Sequence, residues 1–277
     1  MTIKVDIDSH IQLPKSTLVR FSKPHSFTNS QGLPESFKGV YCLQKNGVIE
    51  LQDIDNVNVE YGYFENEIEC ELSKIESRFM GAKQSIIKRV NALTKSKKLD
   101  NYKYFGISSE DLLAVYKYCS ICFVRSPIFV KYVNDSAFSM KIGLYENAPQ
   151  NIVMMHYFNN ANEIDDLFKN MGLSVLINHS SVNFILPQMG ILFPNNIFDL
   201  QACVAIPITP KMVAVLERPY PQDLDIGTIC EIGENEVDKF NKLMIKDELL
   251  SNVGNIYAQR EQDILRYKEF YTPRITK

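Results

Sequence analysis

Apolar residues recur at Ile68, Leu72, Ile75, Phe79, Ile86, Val90 and Leu93, in steps of three and four apart from one double step over Ala82. Such steps return to one side of a 3.6-residue turn, so the spacing predicts an amphipathic helix from about Tyr63 to Leu93. Glu65, Glu67, Glu69 and Glu71 crowd its first turns and Lys88, Arg89 and Lys95 its last, the polarity the helix dipole favours. A second helix is expected to start at Ser108 or Ser109, either of which can cap it, with Glu110 and Asp111 in the first turn. From Leu112 through Cys119 nearly every side is apolar, which predicts a central position. Pro127 should kink or end this helix, and Ile128 to Val133 is compatible with a further helical stretch. A closing helix is expected over Glu234 to Arg260, with Val237, Phe240, Met244, Leu249, Val253, Ile256 and Tyr257 on its inner side.

Other segments read as strands. Gly39 to Leu43 and Val48 to Leu51 form an expected hairpin across Lys45-Asn46-Gly47, where Asn-Gly suits a type I′ turn because both residues tolerate positive φ. A short helix over Glu163 to Met171, ended by Gly172, precedes four β-branched runs: Leu173 to Ile177, Val182 to Leu186, Ala202 to Ile206 and Met212 to Leu216. Pro207 to Lys211 is short enough for a hairpin turn. The first forty residues, broken by Pro14, Pro24, Gly32 and Pro34, are expected to be irregular. Strands and helices do not alternate, so the expected class is α+β, with long helices packed on a small, mostly antiparallel sheet. One domain is expected over 1–277: an irregular segment and hairpin to 55, helices over 60–135, the sheet over 173–217 and the closing helix over 234–260.

Composition narrows the classes. The chain has 277 residues, 45% of them hydrophobic and 23% charged, so a core of its own is expected and disorder is not. A formal net charge of −3 disfavours nonspecific nucleic-acid binding. Acids interrupt the first apolar residues, which argues against a secretory leader. No run approaches the roughly 18 consecutive apolar residues of a membrane span, and a cytoplasmic location is expected. The six scattered cysteines are expected to be reduced and buried.

Several residue patterns carry possible chemistry. Cys119-Ser120-Ile121-Cys122 has redox or half-zinc spacing, but it lies mid-helix among apolar residues without a second pair, and core packing is the favoured reading. His10, His25, His156 and His179 are isolated. No phosphate-cradling loop and no Gly-x-Ser-x-Gly elbow occurs, and neither metal nor cofactor is expected. Lys88, Arg89, Lys95, Lys97, Lys98 and Lys103, beside Tyr102, Tyr104 and Phe105, could touch a nucleic-acid backbone and stack bases; a basic surface loop is the commoner meaning. Arg125 lies in the most apolar helix and must either pair with an acid or face a pocket that binds an anion.

At these residues the chain resembles the bacterial domain-of-unknown-function family 4238. His10-Ile11-Gln12-Leu13-Pro14 followed by Leu18 and Phe21 is similar to the family's opening His-Tyr-Val-Pro-like motif, with the histidine one position further from the proline. Arg125 and Pro127 match its Gln-x-x-Arg-x-Pro, with Cys122 in place of glutamine. Phe184 to Gly190 resembles its Phe-Ile-x-Ser-Asp-x-Pro, with Gln188 at the aspartate and Gly190 at the proline. Pro207 to Lys211 and Asn241 complete the match. The resemblance implies an α+β fold in a bacterium or its phage, without an assigned activity. A site built from the family's His, Arg, Asp and Asn would lack its carboxylate here. The first expectation is therefore a noncatalytic binding protein of a bacterium, phage or mobile element, with a protein partner or further copies of itself. The alternative is an enzyme acting on nucleic acid or a phosphorylated ligand. Arg125 would bind phosphate, His10 would act as general acid or base and Asn241 would orient the ligand, with Gln188 and Lys211 also in contact.

Overall fold

The computed structural model describes residues 15–44, 46–55, 57, 66–95, 103–125, 157–158, 165–193, 202–218, 226–246 and 255–271. The long amphipathic pattern folds as expected, into a helix over Asn66–Lys95. The central helix spans Ser109–Val124, and Ser108 caps it by accepting the Asp111 amide on its hydroxyl. Numbered in chain order, the helices are α1 (Lys15–Phe21), α2 (Asn66–Lys95), α3 (Ser109–Val124), α4 (Glu234–Lys246) and α5 (Glu261–Leu265), with a 3-10 turn at Lys268–Phe270. The strands are β1 (Lys23–Thr28), β2 (Pro34–Leu43), β3 (Ile49–Asp53), β4 (Lys103–Gly106), β5 (Gly172–Asn178), β6 (Leu186–Pro187), β7 (Cys203–Thr209), β8 (Met212–Glu217), β9 (Ile226–Ile232) and β10 (Ile256–Ala258).

The class is α+β, but the strands form two five-stranded sheets rather than one small one. The larger-span sheet runs β4-β9-β5-β8-β7 and is antiparallel except for the parallel pair β5–β9. Its alternation sorts two cores. Leu173, Val175 and Ile177 of β5 and Met212, Ala214 and Leu216 of β8 face the apolar sides of α2 and α3. Val213 and Val215 turn the other way, toward Leu43, Ile256, Val237 and Met244. At the α2–α3 contact the rings of Phe79 and Tyr118 stack with centroids 3.8 Å apart. Leu18 and Phe21 of α1 cover the far face of the second sheet, against Val40, Cys42 and Tyr257.

The second sheet corrects the expected irregular N-terminus. Its order is β1-β2-β10-β6, with β3 also paired to β2. Gly39 is partnered by both Lys23 and Asp53, so β1 and β3 lie on opposite edges of β2. Proline does not prevent this. The Lys38 carbonyl accepts the Ile54 amide at 3.0 Å on the β3 side. Its β1 partner Pro24 therefore directs its missing N–H toward the open edge, where nothing is lost. Pro34 is the first residue of β2. The outer half of β2 with β1 forms a two-stranded ribbon beyond the core, exposed at most positions on both faces.

Further expectations change in detail. The β2–β3 loop has three residues, closed by Gln44 N–H on the Val48 carbonyl and Gly47 N–H on the Gln44 carbonyl, each at 2.8 Å. Gly47 takes φ +80°, the left-handed residue that such a loop needs. Only a helical turn starting at Asp165 stands for the expected Glu163–Met171 helix, and Gly172 opens β5 instead of capping; 163 and 164 lie outside the described residues. Val182 to Ile185 is buried but forms no strand, and of the expected run only Leu186 lies in one, β6. The closing helix is described to Lys246, and Ile256 and Tyr257, expected on its inner side, lie in β10 between β2 and β6. A short apolar run has no period long enough to separate strand from helix, so pairing decided it. Leu249, Val253, Pro127 and Ile128 to Val133 lie outside the described residues. No helix among the described residues is long and apolar enough to cross a membrane.

Candidate functional site

Three of the residues that the family resemblance marks converge at one segment, 178–190: Asn241 and Lys211 bind its backbone, and Gln188, within it, binds the backbone that leads into β10. Asn241 of α4 is fully buried; its Oδ1 accepts the Ile185 amide at 3.1 Å and its Nδ2 donates to the Asn183 carbonyl at 2.8 Å. Gln188 is buried, and its Oε1 accepts the Asn255 amide at 2.7 Å, just before β10. Lys211 donates from Nζ to the carbonyls of Ser180 at 2.5 Å and Val182 at 3.2 Å. Burial lowers the Lys211 ammonium below its usual range, and the Arg260 charge adds to this. Asp263, also buried, accepts the Asn183 amide N–H and side-chain N–H and a hydrogen bond from Arg260. The stretch 179–185 of this segment, outside any strand, needs such side chains for its buried amides and carbonyls.

Arg125 stands elsewhere, at the C-terminal end of α3. It is buried, with Nη1 3.7 Å from Glu76 Oε1 of α2. Burial raises the Glu76 carboxyl, and the Arg125 guanidinium pulls it back down in part. Internal pairing is thus the arrangement that Arg125 adopts. The Cys119 and Cys122 thiols are buried as well. Burial lifts Cys119 well above its usual range and pushes Cys122 up to about 12, so neither is a ready thiolate.

The basic run ties elements together. Arg89 donates to the Gly106 carbonyl and lies 3.7 Å from Asp111, and Lys103 donates to the Leu93 carbonyl at 3.1 Å. Lys88 is exposed, and Lys95 ends α2. His10, Lys97 and Lys98 lie outside the described residues. No group of His, Cys, Asp and Glu suited to a metal occurs among the described residues.

Two features had no place among the expected sites. The first is Lys83, 1% exposed on α2, whose Nζ lies 3.4 Å from Thr17 Oγ1 of α1. The double step in the apolar stripe of α2 falls beside it and is the sequence signal for it. The second is the face of the β1–β2 ribbon that carries Lys23, His25 and Phe27 opposite Gly39, Phe37 and Glu35. Its rings form a continuous row: Phe27 to Phe37 at 5.9 Å, Phe37 to His25 at 5.7 Å and His25 to Tyr41 at 5.9 Å between centroids. Leu51, partnered with Tyr41, extends it. Gly39 leaves room for this row, since a Cβ there would stand 2.7 Å from His25 and 2.8 Å from Leu51. Phe27 remains 46% exposed and Leu51 37%. On the ribbon's other side an open groove of about 630 Å³ runs between α1 and the strands, lined by Val19, Pro24, Ile54, Lys38 and Asp53 among others. The alternation of Lys23, His25 and Phe27 was visible in the sequence, but Pro24 and Pro34 disguised it.

Compared with protein-family models, curated proteins and solved structures, the chain finds no match.

Proposed function

We propose that this chain is a noncatalytic interaction protein that docks a protein partner through the aromatic face of the β1–β2 ribbon. The observation that carries the reading is the row Phe27, Phe37, His25, Tyr41 and Leu51, which continues an inner sheet face past the elements that cover it. Contiguous apolar surface with a polar surround marks interaction sites, and aromatic side chains are enriched where proteins meet. A bacterial or phage source is part of the proposal and rests on the motif resemblance alone. The phosphorylated-ligand reading has less support, because Arg125 has a carboxylate beside it while Asn241 and Gln188 are spent on backbone groups.

A photo-crosslinking residue at position 27, introduced in the organism that carries the chain, tests the reading. A discrete protein adduct that disappears when Leu51→Asp is added is the expected result. No adduct, or one indifferent to Leu51→Asp, refutes the reading.

A further inference from the structure

The ribbon face has a charge pattern of its own. Lys23 stands at its base, the His25–Phe37 pair at its centre, and Glu35 near its tip opposite Phe27. At about 3.3 Å per residue, the Lys23 and Phe27 levels are roughly 13 Å apart, with the centre midway. Lys23 makes no ion pair among the described residues. Glu35 is exposed and accepts Asn29 Nδ2 on Oε1 at 2.7 Å, a bond that does not engage its second carboxylate oxygen.

Such a face is complementary to itself. A two-fold axis level with His25 and Phe37 brings the base of one ribbon over the tip of another. Lys23 then comes to the level of Phe27 and Glu35 of the second copy, and the aromatic centres meet. An isologous contact requires this kind of reciprocity, in which residue i meets j and j meets i. The alternative two-fold axis, along the strands, brings the two Lys23 to one level and the two Glu35 to another, so that each charge finds its like at its own level and not its opposite. The open edge of β1 is a poor route to pairing, because Pro24 withholds a ladder donor there. Contact is therefore directed to the face.

We infer that the occupant of the ribbon's aromatic face is a second copy of this chain, packed face to face in antiparallel register with Lys23 of each copy against Glu35 of the other. This rests on the docking reading above and names its partner. The rings supply apolar burial. The two charge pairs set orientation more than affinity, as rim charges do.

Sedimentation velocity and light scattering on the purified full chain test this. The expected mass at tens of micromolar is that of two copies, falling to one copy in Phe27→Asp. Lys23→Glu and Glu35→Lys should each weaken association at least tenfold. The two single variants mixed together should associate again, because each mixed pair restores both opposite-charge contacts. The double variant Lys23→Glu/Glu35→Lys should also associate. A single-copy mass throughout, association that survives Phe27→Asp, or no recovery on mixing overturns the inference. These variants change exposed side chains, and unchanged thermal melts separate their effect from misfolding. A single-copy chain that still gives the Leu51-dependent adduct from position 27 with another protein removes the second copy and leaves the docking reading standing. Loss of the adduct as well removes both.

Discussion

Lys83 of α2 reaches to α1, where its amine lies 3.4 Å from the Thr17 hydroxyl, with both residues buried. A hydroxyl cannot neutralise an ammonium, and no carboxylate is paired with Lys83 among the described residues. Burial, and secondarily the Arg20 charge, lower its pKa from 10.5 to about 7. Between those values the unfolded chain binds a proton that the folded chain does not, so stability rises with pH across that window. The slope is on the order of 1.4 kcal/mol per pH unit. Below about 7 the amine is charged in both states and the loss levels off. Urea unfolding should therefore show midpoints that climb from pH 7 toward pH 10. Lys83→Met should be the more stable protein at pH 7 and should lack that climb. A parallel pH dependence in both proteins would show that Lys83 is not its source.

Arg125 and Glu76 make the opposite kind of pair, in which each charge needs the other. Arg125→Ala strands a half-buried carboxylate, and removing one partner of a buried pair costs roughly 3 kcal/mol. Joint replacement by Arg125→Met and Glu76→Leu should recover most of that loss. Chemical denaturation measures both. Inorganic phosphate at constant ionic strength should leave the melting temperature of the parent unchanged; a phosphate shift lost in Arg125→Ala would instead mark an anion site.

Asn241 satisfies one buried amide and one buried carbonyl of a segment without a ladder partner. Asn241→Leu should destabilise by about 2–4 kcal/mol, one to two kcal/mol for each stranded group. Asn241→Asp keeps the acceptor for Ile185 but loses the donor to Asn183, and should unfold earlier than the parent. Hydrogen exchange should quicken at Ile185 in Asn241→Leu. Unchanged exchange there would mean that the side chain does not hold the segment.

Two glycines beneath aromatic rings should differ in cost. A Cβ at Gly39 meets the outer atoms of His25, Leu51 and Phe37, which sit at the surface and can shift. At Gly227 a Cβ would stand 2.4 Å from Phe105 Cζ, in a ring held within the main core. Gly39→Ala should cost under about 1 kcal/mol and Gly227→Ala roughly 1–3 kcal/mol, the usual range for overpacking. Equal melting temperatures for the two variants would contradict this ranking.

Local pattern carried a good part of the fold. The α2 stripe, the Ser108 cap, the buried α3 and the β7–β8 hairpin each follow from residues close in sequence. Backbone hydrogen bonding and a one-sided apolar face act over three or four residues, which is the range a period reports. The β1–β2 ribbon was legible in principle, since its alternation is regular. What hid it was a rule about proline that holds for central strands and not for an open edge.

The candidate site was less legible. The motif residues Asn241, Gln188 and Lys211 do meet at one segment, yet as donors and acceptors for backbone groups of that segment and of Asn255, while Arg125 pairs with Glu76 far along the chain. A polar residue has the same letter whether it faces a ligand or a buried carbonyl, and only the neighbours that folding brings to it decide which. By itself the sequence determined the α+β class, the two long helices and the absence of a long apolar span among their residues. The tertiary structure alone decided the two sheets, the parallel β5–β9 pair, the strand made by Ile256 to Ala258, and the uncompensated burial of Lys83. Each of these depends on contacts between residues far apart in the chain, for which neither composition nor periodicity has a term.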